Sequence, residues 1–439
     1  MKRFILLLTA VLLIFCGCSK ADEDESLPVY LPDNPSSVSL YTDGAPSPFL
    51  AQTKDDKIIV SLVYDGLVAI DNDFSVKNLL AESYFVSGNL LTVTLRENVS
   101  FSDGTHFDGN SLIYSVSKLG GTEYHKFSDI VTETALISPY CVQFTLSYVP
   151  HDLETLLTFP IVNEHSNGVG AYKFANDSTL VPNENYYGAK GTISEISLVT
   201  GDKTELFNNK KITLLYNSGD LSYGEIDKAS PLKTISTNKL TFLGINKYRK
   251  IFSKADYRHA ISSIIDRTYL ASFAPQGNGY VSFSVINPSW YKFDSSLVSS
   301  KYSTADAKDV LSSAGLSGAS VNIVVNSENV NRLMIARSLA DTLEELGAKA
   351  TVSSLAWDEY LAAISAGAYD IYVGETLLPN DMDVSALLPE YASYTDAALI
   401  SSLDENMPVI PLFFDQETLL TNDVFLSADE PLLTVCGYK

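Results

Sequence analysis

The chain has 439 residues, 46% of them hydrophobic and 19% charged, a globular composition that excludes a disordered or fibrous protein. Thirty basic residues against 53 acidic ones give a formal charge of −23. A surface of that sign repels phosphate backbones and anionic headgroups, which excludes nucleic acid as a partner and charge as a means of membrane attachment.

The N-terminus reads as an export signal. Lys2-Arg3 precede an apolar run from Phe4 to Phe15. That run is shorter than the about 20 residues of a spanning helix, and its basic start and small residue before a cut predict a signal peptide over residues 1–17. It ends in "LIFCGCSK", 13–20, which resembles the lipobox of bacterial lipoproteins. On that resemblance Cys18, preceded by small Gly17, is the lipidated residue, whereas Cys16 would put bulky Phe15 beside the scissile bond. The alternative is an ordinary signal peptide with incidental cysteines. Two acyl chains, at roughly 0.8 kcal/mol per buried CH₂, anchor a protein stably where one does not. Residues 18–36 then form a polar, proline-punctuated tether. Loss of Lys2 and Arg3 takes the charge from −23 to −25, and the 422 residues left suffice for two or three lobes. Beyond Cys18 only Cys141 and Cys436 remain; they are able to pair in an oxidising compartment, and spacing alone does not decide it.

No internal repeat, heptad run or low-complexity block follows. Residues 57–70 predict a helix leading into a turn, and alternating "LLTVTLR", 90–96, a strand. "NSLIYSVSKL", 110–119, has helical spacing behind Asn110 as cap. Residues 141–149, 211–217 and 241–246 read as strands, and 254–273 as one helix with Ala260, Ile261, Ile264, Ile265 and Leu270 on a single face. A helix at 304–315 opens at Thr304 and stops at Gly315. Strand 321–326, helix 331–347, strand "AKATVSSL", a helix from Trp357 to Ala366 and strand "YDIYVGE" complete an alternation that predicts an α/β lobe.

Several of these pieces resemble, in order, the extracellular solute-binding proteins of peptide, oligopeptide and nickel ABC transporters, bacterial family 5. The segment 61–119 carries a "YDGL" turn, an "LAES" motif, an "LR" strand end and "FSDGT" ahead of a helix. "GVGAYKF" (168–174), "FLGINK" (242–247), "DYRHAISSIIDRTYL" (256–270), "YSTADAKDVLSSAGL" (302–316) and "MPVIPLFF" (407–414) follow, spanning about 350 residues. Physically, Gly66 and Gly104 suit turns needing positive φ, and Arg96 is positioned to pair with Glu82 or Asp103. The resemblance implies an α/β, periplasmic-binding-protein-like fold (type II, three-lobed), a venus flytrap with a hinged cleft. Lobe I would collect residues 28–50, 160–245 and 408–439, lobe II 51–159, and lobe III 246–407. Ligand would sit between lobes I and III, with the crossings near 245 and 407 as hinge.

Two departures stand out. Only residues 385–406 separate the presumed ligand loop from the "PVIPL" strand, a trimmed interval for the group. Peptide-binding members carry "W-x-x-D-Y-x-[DE]-P" after the strand matching "YDIYVGE", whereas this chain has "TLLPNDMDVS", 376–385. The tryptophan position falls at Leu377, the amine-binding aspartate nearest Asn380, and the later acid at Asp383, with Asp381 one residue from the amine position. Trp290, in a loop after Pro288, is a further cleft candidate, while Trp357 reads as packing. The candidate ligand-binding set is Tyr41, Asn246, Trp290, Glu375, Leu377, Asn380, Asp381 and Asp383.

Enzymatic constellations are missing. The five histidines, His106, His125, His151, His165 and His259, are scattered without metal-ligand spacing and read as surface or turn residues. There is no G-x-S-x-G elbow, no P-loop and no complete dinucleotide fingerprint. No catalytic residue, metal site or cofactor is expected. The leading expectation is a monomeric lipoprotein on the outer face of the cell membrane, delivering a small solute, above all a short peptide, to an ABC permease and ATPase. The alternative is a peptide- or nutrient-sensing receptor lipoprotein without a transport role.

Overall fold

The computed structural model describes residues 36–44, 46–217, 226, 230–277, 279–422, 426 and 430–435. The expected signal peptide, Cys18, the tether through residue 35 and Cys436 lie outside the described residues. Cys141 is free and half-buried in a strand.

The local elements follow from their caps and apolar spacing. In helix Lys54–Val63, Thr53 accepts from the Asp56 amide at 3.3 Å, and Asp55 and Asp56 complement the positive end of the helix. Its Ile59, Val60, Leu62 and Val63 are buried. Helix Gly109–Val116 is capped by Asp108 rather than Asn110, through Asn110 and Ser111 amides at 2.9 and 3.1 Å. Thr304–Ala314 begins after the cap Ser303 and ends at Gly315 with φ 85°, as its spacing predicts.

Three local expectations need correction. The helix expected over 254–273 is broken into Ala255–Ile264 and Arg267–Ala271, because Ile265 is extended and the Asp266 side chain recaps the chain by accepting from the Tyr269 amide. Arg96 pairs with neither Glu82 nor Asp103; its Nε donates to the Leu79 carbonyl at 3.0 Å and its guanidinium lies 5.1 Å from the Tyr187 ring centroid. Gly104 has φ 86°, but Gly66 has no positive φ. What Gly66 needs is space, since a Cβ there would lie 2.7 Å from the Thr158 carbonyl oxygen. Gly66→Ala is therefore expected to destabilise by about 1–3 kcal/mol, as overpacking against rigid backbone does. A urea midpoint equal to wild type would contradict it.

Among the described residues, an eleven-stranded sheet runs in the order Lys349–Leu355, Ser320–Asn326, Ile371–Leu377, Ser230–Ile245, Val409–Thr421, Leu214–Asn217, Ser37–Tyr41, Glu195–Val199, Thr179–Pro182, Tyr172–Asn176, with Tyr280–Val281 beside Val409–Thr421. Ser320–Asn326 pairs in parallel with Lys349–Leu355 and Ile371–Leu377, and helices Val330–Glu345 and Trp357–Ser365 make those crossovers. A separate four-stranded antiparallel sheet runs Ala81–Ser87, Leu90–Leu95, Cys141–Leu146, Val131–Ser138.

Buried apolar residues form distinct clusters rather than one core. One holds Val93, Phe101, Phe144 and Phe159, another Val38, Ile59, Tyr172 and Leu198, and a third Leu243, Ile261, Ile323 and Ile371. A fourth gathers Phe242, Trp290, Met382, Tyr391 and Phe414, joined by Phe74 from the hairpin Val68–Ile70/Val76–Asn78. The two long antiparallel strands Ser230–Ile245 and Val409–Thr421 contribute residues to the second, third and fourth clusters, and their register shifts at three places, one of them between Ser236 and Leu240. Leu243, Ile245, Ile410, Leu412 and Phe413 pack with the third cluster, and the first strand ends at Ile245 while the second begins at Val409, beside the crossings expected near 245 and 407.

Candidate functional site

Two adjoining cavities lie beside the register break between Ser236 and Leu240. The first, of about 410 Å³, has His151, Asp152 and Glu154 on one wall and Trp290, Asn380, Asp381 and Asp383 on the other. The second, of about 500 Å³, is bounded by Lys54 and Glu417 on one side, Leu377 and Pro379 on another, and Lys239 and Asp415 from the long strands. Asp152, Thr155 and Asn380 line both, so the two form one continuous groove.

The walls are clasped to each other. His151, ahead of the short 3₁₀ turn Leu153–Leu157, hydrogen-bonds through Nδ1 to the Asp381 carboxylate. That bond raises the His151 pKa above its ordinary value, against an opposing effect of burial, with Asp383 and Asp152 adding attraction. The Tyr291 amide also donates to the Asp73 carbonyl at 2.9 Å, and Phe74 is buried among Trp290 and Met382.

The loop after Ile371–Leu377 is held by its own side chains. Asp381 accepts from the Asp383 amide at 2.9 Å, and Asp383 accepts from the Ser385 amide and hydroxyl, both at 2.8 Å. Asn380 accepts from Asn238 Nδ2 at 3.0 Å, tying the loop to the register break. Leu377 is 74% exposed at the mouth of the second cavity. Trp290 is 4% exposed and lines the first.

The remaining candidates lie elsewhere. Glu375 lines neither cavity; it is gripped by Arg332, by Lys239 Nζ at 2.5 Å and by Asn329 Nδ2 at 3.3 Å. Asn246 donates to the Gly367 and Tyr369 carbonyls at 3.2 and 2.9 Å and so fastens a turn. Tyr41 donates to Asp43, which raises its pKa, with its ring 5.7 Å from Lys203 Nζ. The groove thus collects Trp290, Leu377, Asn380, Asp381 and Asp383 and leaves out Tyr41, Asn246 and Glu375.

Sequence reasoning missed His151, Asp152, Lys239 and Asp415. Lys239 reaches Asp415 Oδ2 at 3.1 Å as well as Glu375. Burial opposes its charge, but the contacts to Glu375 and Asp415 outweigh burial and raise its pKa. Burial raises the Asp415 pKa, and Lys239 only partly offsets it. Among the described residues, no three His, Cys, Asp or Glu side chains gather as a metal site.

The model of the bacterial extracellular solute-binding proteins, family 5, matches residues 75–398. The chain belongs to this family. Glutathione-binding protein GsiB of Salmonella paratyphi A is 22% identical over 389 residues, covering 79% of this chain and 75% of that protein. Solved structures with the same fold include the periplasmic murein tripeptide binding protein MppA in its unliganded open form. It has a TM-score of 0.73 at 15% identity and covers 93% of this chain and 98% of its own. The nickel ABC transporter protein from Bacillus halodurans has a TM-score of 0.73 at 15% identity, covering 89% and 95%. The expected type II periplasmic-binding fold is therefore the observed one, and this family 5 protein is an extracellular solute-binding protein of ABC transporters, not an enzyme. Among the described residues, no helix is long and apolar enough to cross a membrane.

Proposed function

We propose that this family 5 protein is a monomeric lipoprotein, held through Cys18 on the outer face of the cell membrane, that captures a short peptide and delivers it to an ABC permease and its ATPase. The observation that carries the ligand class is the groove itself. Its joined cavities, about 410 and 500 Å³, fall in the range of small-ligand sites and present carboxylates, ammonium groups and apolar surface together. A zwitterionic peptide needs that mixture, because charged ends leave water only when opposite charge and hydrogen bonds replace it. Two relatives support the reading by name, one for glutathione, itself a tripeptide, and one for a murein tripeptide.

The proposed mechanism is a two-state hinge. Lobes at 28–50 with 160–245 and 408–439, at 51–159 and at 246–407 would move about the crossings near 245 and 407. Ligand touching both walls biases the equilibrium toward the clasped form. Asp381 is the proposed counter-charge for the peptide amine, with Asp383 beside it and Leu377 as an apolar contact.

Melting and small-angle scattering with a short-peptide library test this reading. A true ligand at a hundredfold excess over Kd adds about 2.7 kcal/mol of stability and reduces the radius of gyration. A peptide library that never shifts the melting point sinks the peptide assignment, and a stabilising ligand with no change in radius sinks the hinge. For the anchor, Cys18→Ser is expected to move the protein from the membrane fraction to the soluble one, because the acyl chains lose their attachment atom. Unchanged fractionation with Cys16 intact would refute lipidation at Cys18.

A further inference from the structure

A third cavity, of about 130 Å³, lies between helix Lys54–Val63, the turn at 64–66 and strand Val68–Ile70. Ile70 lines it together with the first cavity, and Lys54 together with the second, so it branches from the groove. It exceeds several times over the share of one water, about 30 Å³, and suits one short side chain. Ile58, Tyr64, Val68 and Leu79 give it apolar walls, while Ser61 and Asp65 give it polar ones.

Asp65, in the "YDGL" turn, is satisfied on one side only. It is 6% exposed, and its Oδ2 accepts from the Tyr187 hydroxyl at 2.6 Å. Among the described residues no donor reaches its Oδ1. That oxygen is not sealed, because among the described residues the Trp290 indole nitrogen alone is both sealed and unpartnered. The space that Asp65 lines is the third cavity, so Oδ1 opens into it. The Ser61 hydroxyl, on the same cavity, also has no partner among the described residues. A deeply buried acceptor left unmet is costly, and a ligand donor relieves it.

The surroundings favour a neutral donor. Lys54 and Lys57 line the same cavity, each committed to an acid, Glu417 at 3.9 Å and Glu123 at 2.5 Å. An entering ammonium would face both of these cations as well as Asp65, and an entering carboxylate would face Asp65. Burial also pushes the Asp65 carboxyl up to about 7, with Tyr187, Arg96 and Lys77 only partly offsetting it, so near neutral pH its charge is incomplete. A carboxamide brings no charge, offers N–H donors to Asp65 and an oxygen to Ser61.

We propose that this protein selects peptides carrying a glutamine- or asparagine-type side chain, whose carboxamide enters the third cavity, donates to Asp65 Oδ1 and accepts from the Ser61 hydroxyl. The inference rests on the peptide-receptor reading and narrows it to peptides with a neutral amide side chain.

The test is calorimetry of the full mature protein with tripeptide sets in which glutamine, its apolar near-isostere methionine, glutamate or lysine occupies each position in turn. At one position glutamine is expected to bind about tenfold tighter than methionine, because a site with buried polar groups rejects an analogue that leaves them unmet. Glutamate and lysine are expected to bind more weakly than glutamine there. Two variants tie the preference to the cavity. Ser61→Leu fills it from a helix position that tolerates leucine. Asp65→Leu with Tyr187→Phe removes both members of a hydrogen bond, so that neither is left unmet. In each variant the glutamine-to-methionine ratio is expected to fall to near one, and a melting curve reports whether the variant is folded. Equal affinity for glutamine and methionine at every position overturns the amide preference while leaving the peptide-receptor reading in place. Lysine or glutamate binding more tightly than glutamine at the selective position overturns the neutral class. A preference that survives both variants overturns the assignment to the third cavity, and failure of every tripeptide to bind overturns both readings.

Discussion

Glu375→Ala is expected to lower the unfolding free energy by about 3 kcal/mol, toward the lower end of the 3–5 kcal/mol typical when one partner of a buried ion pair is removed. Glu375 lies in the strand Ile371–Leu377, its side chain only 11% exposed, and it holds Arg332, itself 15% exposed, together with Lys239. Without it the Arg332 guanidinium keeps its burial and loses its carboxylate. Lys239 fares better, because it is 44% exposed and retains Asp415 at 3.1 Å, so the expected loss falls mainly on Arg332. Glu375→Gln keeps hydrogen-bonding capacity without the charge and is expected to lie between alanine and wild type. Urea denaturation checks the series. An alanine variant that unfolds at the wild-type midpoint but no longer binds ligand would reverse the assignment and return Glu375 to the ligand.

Ligand affinity is expected to fall by about 30-fold or more in Asp381→Asn, a loss of roughly 2 kcal/mol or more, as when one member of a desolvated charge pair is removed. Asp381 has two proposed roles, fastening the far wall through His151 and facing the ligand amine, and asparagine supplies the charge for neither. The His151 contact also predicts a pH dependence whose sign is fixed. Its pKa is raised in the clasped form, so its contribution is complete below the ordinary histidine value of about 6.5 and is lost as pH rises through the raised value. Affinity should therefore weaken from mildly acidic toward alkaline pH. Because the His151 side chain is 66% exposed, solvent screening limits that change to about a few-fold. The groups facing it are Asp381, Asp383 and Asp152, and Glu154 and Lys292 line the same cavity. Calorimetry across this pH range on wild type, His151→Gln and Asp381→Asn reads both effects. Wild-type affinity in Asp381→Asn, or an unaltered pH slope in His151→Gln, would remove the residue concerned from the mechanism.

The secondary structure was legible wherever it is decided by neighbours. Strand Leu90–Leu95 alternates, helix Thr304–Ala314 has a cap and a left-handed glycine stop, and the strand–helix alternation after Ser320 announces its parallel pairings. The misreadings come from partners on other segments and, in one helix, also from an overlooked local cap at Asp266. Apolar spacing runs unbroken through residues 254–273, but Arg267 is buried against the Ser282 and Pro411 carbonyls, at 3.2 and 3.0 Å, and the helix breaks before it. Such partners, distant in sequence, leave no mark in a local pattern. Gly66 was singled out from its turn, yet the Thr158 backbone, not its own φ, accounts for it.

The family and fold came from ordered motifs, and the candidate site came only in part. The loop after Ile371–Leu377 could be located because it follows a recognisable strand, which placed Asn380, Asp381 and Asp383 on the groove. Glu375 looked equally available, since alternation along one strand does not tell a carboxylate facing a cavity from one facing Arg332. His151 looked like one of five scattered histidines, and its partner Asp381 stands 230 residues away. By itself, then, the sequence determined the local elements, the acidic surface and the type of fold, because caps, periodicity and ordered motifs act over a few residues at a time. Only the tertiary structure decided which charges meet, since ion pairs and cavities depend on distances of a few ångströms between segments that chain order leaves far apart.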